Sequence, residues 1–288
     1  MLPPPDRVVL DPAQRRAAVI DLIRGARRRL SLSLFRCNEK HIFRELTAAV
    51  DRGVDVEVLV TSRARGGKKK LHKLWDRLEQ TGATVHAYND PVVKYHAKYA
   101  VADDGPALVA SLNLTKKCFA KTCDAVVITY DPAVVSGLRQ LTAADRGGAP
   151  PPASLPERLI LGPENARRQF TTLIRSARTS ILMIDPKLSD PDLMALLEER
   201  RSEGIAVHVR NEPEVGGLKS HGKIMLIDGR TAVVGSIALT ALSIDFRREV
   251  AIVITEPSAV ADIQSLFASL GLTAAPGAVP AAAGGTSC

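Results

Sequence analysis

The sequence lacks a hydrophobic run long enough to cross a membrane. A spanning helix needs roughly 18 or more apolar residues, whereas the longest candidate, residues 231–244, is shorter and is interrupted by glycine and serine. The opening letters, MLPPPD, also lack the basic and then apolar layout of a secretion signal. We therefore predict a cytoplasmic protein without a transmembrane segment.

Cysteine and aromatic residues are scarce. The cysteines at positions 37, 118, 123 and 288 form no CxxC pair and no cluster at zinc-binding spacing. Reduced thiols are the expectation for such a pattern in the cytoplasm, and a Cys118–Cys123 disulfide is the alternative. Aromatic residues make up 4% of the chain, with a single tryptophan. This disfavours a base-stacking surface for single strands and an aromatic-rich membrane-insertion loop.

Negative charge is in short supply. The 288 residues include 39 Lys and Arg against 31 Asp and Glu, for a formal charge of +8. Anionic partners are favoured, whether nucleic acid, phospholipid headgroups or phosphorylated small molecules. One basic run, residues 63–70, has two interpretations, a solvated loop or a phosphate-tracking patch near the mouth of a site.

The chain contains an internal repeat. The stretches VVLDP at residues 8–12 and LIRGAR at 22–27 recur as LILGP at 159–163 and LIRSAR at 173–178. Each copy continues into an apolar strand, a helix and another strand. The first copy then adds one helix–strand unit, a helix at about residues 69–80 and a strand at about 83–88, that the second copy lacks.

The repeat predicts an α/β fold with two similar domains, each a mixed β-sheet flanked by helices. We assign the first domain to residues 1–142 and the second to 157–272. Residues 143–156, rich in Gly, Pro and Ala, are predicted to be a linker, and residues 273–288 a disordered tail. Two such halves can face each other across a pseudo-twofold axis, as the subunits of a dimer do.

Each half carries one His-x-Lys-x₄-Asp motif. Its members are His96, Lys98 and Asp103 in the first half, and His221, Lys223 and Asp228 in the second. Alternating apolar residues predict a strand over residues 95–103, and residues two apart on a strand share a face. The histidine and lysine of each motif should therefore point the same way.

Polar residues follow both histidines at matching intervals. Ser111 and Ser236 each come 15 residues after their histidine, and Asp124 and Glu249 each come 28 residues after it. Asn113 follows the first serine. Intervals that agree in two otherwise diverged halves indicate two equivalent pockets.

Paired histidines and lysines suit substitution at a phosphodiester. One imidazole can attack phosphorus while the other, protonated, donates to the leaving oxygen. The lysines can neutralise the non-bridging oxygens, and hydroxyl and amide groups can donate further hydrogen bonds. An acid beside each imidazole would fix its tautomer and raise its pKa. Such a site needs no metal and no cofactor.

These features resemble the phospholipase D superfamily over about residues 5–270. The resemblance implies a covalent phosphohistidine intermediate, with His96 as nucleophile and His221 as general acid. It implies that Asp124 and Glu249 orient the imidazoles. The phosphate would be bound by Lys98, Lys223, Ser111, Asn113 and Ser236. The motif aspartates, Asp103 and Asp228, would support loops and the interface between the halves.

Two positions depart from the family pattern. The glycine that usually precedes the serine is Ala110 in the first copy, and the usual asparagine is Ala238 in the second. Loss of one hydrogen bond to a charged oxygen costs about 1.5–3 kcal/mol. We therefore expect activity to be reduced and not abolished.

The substrate stays open at this level. We expect a phosphodiesterase that hydrolyses, or transfers to an alcohol, phosphodiester bonds of phospholipid headgroups. The alternative is a metal-independent nuclease of the same superfamily, and a non-catalytic phosphate-binding module is less favoured. Peripheral contact with a membrane is compatible with the first reading. Because one chain carries both motifs, a monomer is sufficient to build the site.

Overall fold

The computed structural model of the chain describes residues 4–63 and 67–273. Its first half contains nine strands and five helices in those ranges. The strands are β1 (Arg7–Val9), β2 (Arg29–Leu34), β3 (Asp55–Thr61), β4 (Thr84–Tyr88), β5 (Lys94–Tyr95), β6 (Tyr99–Ala102), β7 (Ala107–Ala110), β8 (Thr122–Cys123) and β9 (Val126–Thr129). The helices are α1 (Pro12–Gly25), α2 (Lys40–Asp51), α3 (Lys68–Glu79), α4 (Lys116–Lys121) and α5 (Pro132–Gly147).

The second half follows the same plan with fewer elements. Its strands are β10 (Leu159–Gly162), β11 (Ser180–Ile184), β12 (Ala206–Arg210), β13 (Glu214–Val215), β14 (Leu218–Ser220), β15 (Lys223–Ile227), β16 (Thr231–Gly235) and β17 (Arg247–Ile254). Its helices are α6 (Ala166–Ser176), α7 (Pro191–Ser202), α8 (Ala241–Phe246) and α9 (Pro257–Ser269). Helices α1, α5, α7 and α9 each begin with proline directly after an acidic residue, a start that suits the free N–H groups of a first turn.

The two large sheets have the same strand order. The first sheet runs β1-β9-β7-β6-β2-β3-β4, and the second runs β10-β17-β16-β15-β11-β12. Strands β2, β3 and β4 pair in parallel, as β11 and β12 do, while their neighbours pair antiparallel. The second sheet ends where the first continues into β4. The predicted pair of mixed sheets, and the extra helix–strand unit formed by α3 and β4, are confirmed.

The two sheets pack against each other through a shared core. One buried cluster includes Val109 and Val127 of the first sheet together with Leu226, Val234 and Ile252 of the second. Each half also buries a separate core beneath its own helices. Burying apolar area between the sheets is the main force that holds the halves together.

The segment predicted as a linker begins later than expected. Helix α5 continues to Gly147, so residues 143–147 are helical, and Gly148 ends the helix in the left-handed conformation with φ +66°. The helix extends because Asp145 is buried there and accepts a hydrogen bond from Arg248, 2.9 Å away. Of the predicted tail, residues 274–288 lie outside the described residues.

The strand predicted over residues 95–103 is interrupted. Strand β5 ends at Tyr95 and β6 begins at Tyr99, so His96 and Lys98 lie between the two strands. In the second half His221 likewise lies between β14 and β15. The interruption arises because the chain changes sheets at each histidine.

Candidate active site

The first motif crosses from one half of the protein to the other. Strand β5 pairs in parallel with β17 of the second half, and the His96 N–H donates to the carbonyl of Arg248 at 2.9 Å. Two residues later the carbonyl of Lys98 accepts from the Ala110 N–H of the first sheet at 3.0 Å. His96 therefore lies at the boundary between the two sheets.

The second motif makes the reciprocal crossing. Strand β14 pairs in parallel with β8 of the first half, and the Gly222 N–H donates to the Cys123 carbonyl at 2.7 Å. A Cβ at position 222 would lie 2.4 Å from that carbonyl oxygen, so the close approach requires glycine. This exchange of segments is what a pseudo-twofold relation between the halves produces.

Because of the crossing, each histidine meets the acid of the opposite half. His96 Nδ1 contacts the carboxylate of Glu249. His221 Nδ1 lies 2.9 Å from Asp124 Oδ1 and 3.1 Å from Oδ2. Both acids are completely buried. The acids thus leave Nε2 of each ring as the nitrogen directed away from the pair.

Asp124 is held by a network of donors. Ser111 Oγ donates to its Oδ1 at 2.6 Å, and Thr122 Oγ1 donates to its Oδ2 at 2.5 Å. Burial alone would raise the pKa of Asp124, but the hydrogen bond and charge of His221, with these two hydroxyls, bring its pKa below the ordinary value. Asp124 is therefore an ionised partner for His221.

Glu249 and His96 differ from the Asp124–His221 pair in that the pKa of the acid is raised. Burial raises the pKa of Glu249 to about 7, although nearby Lys98 and Arg247 oppose the rise. Burial, and then the charge of Lys98, lower the pKa of His96 well below its ordinary value. A buried site disfavours the charged form of each group, so His96 is a neutral imidazole at neutral pH.

The motif lysines lie against their own histidines. Lys98 Nζ is 3.1 Å from His96 Nδ1 and donates to the His96 carbonyl at 2.5 Å. Lys223 Nζ donates to the His221 carbonyl. Burial lowers the pKa of Lys98 to about 7, and the second-half groups Glu249 and Lys223 also act on it. Charged groups of the second half thus act on the lysine of the first motif.

The predicted oxygen-binding residues are not equivalent. Ser111 donates to Asp124, while Ser236 donates to the Val250 carbonyl at 3.3 Å and accepts from its N–H at 3.2 Å. Asn113 is buried, and its side-chain amide makes no hydrogen bond with the other described residues. Its Nδ2 can therefore donate to a ligand oxygen.

The two departures from the family pattern have different structural settings. A Cβ on Gly235 would lie 2.3 Å from the Cα of Ala251, so β16 requires glycine there. Ala110, at the corresponding place in β7, is accommodated as a buried residue paired with Val126. Ala238 is buried and brings no polar group to its side of the site.

The motif aspartates lie at turns away from the histidines. Asp103 accepts the backbone N–H groups of Arg27, Arg28 and Arg29 at 2.7–3.0 Å. Asp228 accepts those of residues 178–180 at 2.8–3.1 Å. Both have positive φ, 46° and 52°. They fix the start of β2 and β11, a loop-supporting position, and these contacts stay within their own halves.

Several cationic residues near the site were not predicted. Arg36 follows β2 and Lys187 follows β11, and the two positions are related by the same 151-residue offset as the repeat. The charge of Lys187 acts on His96, and burial followed by repulsion from Lys223 lowers the pKa of Lys187. Comparing the two copies beyond the apolar strands would have revealed this pair.

A cavity of about 730 Å³ opens beside His96. Its walls come from β3, α3, β4 and β5 of the first half and from the region of α8 and β17. Among the residues that the structure describes, the cationic ones that line it are Arg36, Arg63, Lys68, Lys94 and Arg247, and the one lining acid is Asp90. The basic run at residues 63–70 therefore contributes to this cavity through Arg63 and Lys68, and residues 64–66 lie outside the described residues.

One group of side chains could hold a cation. Single ligand atoms of Cys118, Asp124 and His221 lie within 4.8 Å of one another. Cys118 and Cys123, like Cys37, are free buried thiols. Asp124 and His221 already bind each other, so a cation at this position would compete with their hydrogen bond.

A comparison with protein families identifies the chain. The family model described as cardiolipin synthase, phospholipase D-like domain, matches residues 19–145 and 209–270. The chain belongs to this family. The resemblance to the phospholipase D superfamily is thereby confirmed. No curated protein matches the chain.

Solved structures share the fold of this phospholipase D-like protein. Polyphosphate kinase from Porphyromonas gingivalis has a TM-score of 0.75 at 20% identity, over 90% of this chain and 46% of that chain. Phosphatidylserine synthase from Haemophilus influenzae has a TM-score of 0.74 at 12% identity, over 92% of this chain and 85% of that chain. The chain thus spans less than half of the kinase. At these identities the likeness concerns the fold alone. Among the described residues, no helix is long and apolar enough to span a membrane.

Proposed function

We propose that the protein is a metal-independent phosphodiesterase that works through a phosphohistidine formed on His96. The observation that carries the proposal is the exchange of acids between the halves. It brings two histidines, each with a buried acid on Nδ1, into one site with the two motif lysines. The arrangement supplies a nucleophile, a proton donor and phosphate-binding cations from one chain.

In the first step, Nε2 of His96 attacks phosphorus. The new P–N bond forms as the P–O bond to the leaving group breaks, and protonated His221 gives its proton to the leaving oxygen. In the second step, water attacks phosphorus, His221 accepts the proton of that water, and the P–N bond breaks. Lys98, Lys223 and Asn113 stabilise the charge on the non-bridging oxygens.

The electrostatics support this division of roles. The lowered pKa of His96 keeps its lone pair free for attack. The ionised Asp124 lies 2.9 Å from His221 Nδ1 and holds that ring with Nε2 free to face the leaving oxygen. Both differences follow from the residues packed against each ring and are independent of the order of the two motifs in the chain.

For the substrate, we propose phospholipid headgroups, with nucleic acid as the alternative. The cavity beside His96 supports the lipid proposal because it is a confined pocket with walls from both halves, lined by several cations. A long nucleic acid would favour an extended basic groove. A non-catalytic binding module is the least favoured, since both His–Lys pairs are complete.

The test is one panel of assays on the purified full chain in excess EDTA. The substrates are a soluble chromogenic phosphodiester, phosphatidylcholine and phosphatidylglycerol vesicles, and DNA and RNA. We expect turnover of the chromogenic ester and of at least one vesicle substrate to survive EDTA. Complete loss of turnover in EDTA would contradict the histidine mechanism. If wild type and His96→Ala were equally inert on every substrate, the binding module would be preferred.

The pH profile of kcat/KM is expected to be a narrow bell centred near pH 7. Below the pKa of Glu249, about 7, its protonated carboxyl donates to Nδ1 of His96 and leaves the ring proton on the attacking Nε2. Above the pKa of Lys98, also about 7, the lysine loses its charge. Both limbs are measured with the chromogenic ester.

Glu249→Gln identifies the group behind the acid limb. Without the carboxyl, the remaining titrating group of the pair is His96, whose pKa burial lowers. We therefore expect the acid limb to move to lower pH. An acid limb unchanged by Glu249→Gln would contradict the assignment.

A further inference from the structure

Exposed hydrophobic side chains occur in two segments at the mouth of the cavity beside His96. Among the described residues, five large hydrophobic side chains are exposed, and three of them belong to the segments that form this mouth. They are Val92, Leu242 and Phe246, with 65%, 42% and 50% of their surface exposed. We call these three residues the apolar rim. Leu242 lines the cavity, Val92 lies between the lining residues Asp90 and Val93, and Phe246 directly precedes the lining residue Arg247. The other two, Met194 and Tyr130, lie in segments that contribute no lining residue.

The two segments that carry the rim are joined by a strand pair. Lys94 of β5 pairs with Arg247 of β17, directly after Val92–Val93 in one segment and directly after Phe246 in the other. Leu242 lines the cavity. Phe246 lies four residues later in α8, and side chains four apart share a helix face.

The Val92 segment is held in place by hydrogen bonds. Asp90 Oδ1 accepts the N–H groups of Val92 and Val93 at 2.8 and 2.7 Å. Arg63 donates to the Pro91 carbonyl at 3.0 Å. Residues on both sides of Val92 line the cavity, so the exposed Val92 side chain stands at its edge.

Cations line the same cavity. They include Lys68, Lys94 and Arg247, while the carboxylate of Asp90 is engaged by backbone N–H groups. Apolar side chains flanked by lysine and arginine are the combination that binds the surface of an anionic bilayer. A solvated polyanion would gain little from exposed aliphatic groups.

We propose that the apolar rim docks the protein on an anionic phospholipid bilayer, with the cavity facing the lipid headgroups. The proposal rests on the proposed function in one respect, since docking would present a headgroup phosphate to His96. Val92, Leu242 and Phe246 enter the boundary between headgroups and acyl chains. Lys68, Lys94 and Arg247 contact the phosphates. The docking is peripheral and reversible, because three side chains bury little apolar area.

The test compares binding to vesicles that contain phosphatidylglycerol and phosphatidylcholine, measured by co-sedimentation of the full chain. For Val92→Ser with Phe246→Ser we expect the vesicle association constant to fall at least tenfold. The control is Met194→Ser with Tyr130→Ser, which removes two exposed hydrophobic side chains elsewhere and is expected to bind as wild type. Both variants are first checked for an unchanged unfolding midpoint.

The outcomes separate docking from catalysis. His96→Ala should bind vesicles as wild type, so a failure of the catalytic proposal would leave this measurement intact. Vesicle binding that is equal in the rim variant and in wild type would overturn the docking proposal. It would also be overturned if the rim variant lost affinity for a single-stranded oligonucleotide and kept its affinity for vesicles, since the rim would then serve nucleic acid.

Discussion

Replacing His96 with alanine is expected to reduce kcat by at least about 10⁴-fold, because the variant has no group that can form the covalent intermediate. His221→Ala is expected to cost about 10²–10⁴-fold, the usual range for a general acid or base. The unequal losses follow from the different pairing of the rings with Glu249 and Asp124. Steady-state kinetics on the chromogenic ester measure both.

His96→Ala and His221→Ala should also differ in whether they accumulate the proposed phosphohistidine. With ³²P-labelled phosphodiester, His221→Ala should accumulate acid-labile label on His96, since the second step lacks its base. His96→Ala should carry no label. His208→Ala is a suitable control, because His208 is exposed on β12, outside both motifs, and we expect normal turnover. Label on His221 in the His96→Ala variant would reverse the assignment of nucleophile and acid.

Much of the fold could be predicted because the sequence contains two copies of the same pattern. The repeat gives two copies of the same strand order, and the missing helix–strand unit is visible as a change of offset. The intervals of 15 and 28 residues identify Ser111, Ser236, Asp124 and Glu249 as candidates. Periodicity and self-similarity are local properties, so sequence is sufficient to detect them.

The pairing of acids with histidines could not be predicted from those intervals. Glu249 follows His221 by 28 residues but contacts His96, and Asp124 follows His96 but contacts His221. The exchange depends on β5 and β14 each joining strands of the opposite half. Such pairing is set by tertiary packing, and it also explains why alternation alone predicted an unbroken strand through His96.

The apolar rim is a second feature that could not be predicted from the sequence. Val92, Leu242 and Phe246 are spread over more than 150 residues of sequence, in two halves, and no hydrophobic run marks them. Their low number agrees with the scarcity of aromatic residues. What they share is their place in the two segments that line one cationic cavity.

Arg248→Ala is expected to lower the free energy of unfolding by about 3–5 kcal/mol, the usual cost of breaking a buried ion pair. Arg248 is almost fully buried, and its Nε donates to Asp145 Oδ1 at 2.9 Å. Its guanidinium also donates to the Gly162 carbonyl and to Glu164, and its own carbonyl accepts from His96. The side chain therefore joins α5 of the first half to β10 and β17 of the second, directly behind the site.

The loss of stability in Arg248→Ala should increase as the pH rises. Burial raises the pKa of Asp145 to about 7 even with Arg248 present, and removing the arginine withdraws the charge that opposes the rise. Because the folded pKa of Asp145 then lies further above its unfolded value, protonated Asp145 favours folding, and stability is lost as pH rises through that folded pKa. Urea unfolding of Arg248→Ala should show a larger deficit against wild type at pH 9 than at pH 6. The double variant Arg248→Ala with Asp145→Asn should recover part of the lost stability at pH 9. As a control, Arg201→Ala breaks an exposed ion pair with Glu198 and should change the free energy of unfolding little at either pH. A deficit of equal size at both pH values would mean that Asp145 does not carry the charge that Arg248 balances.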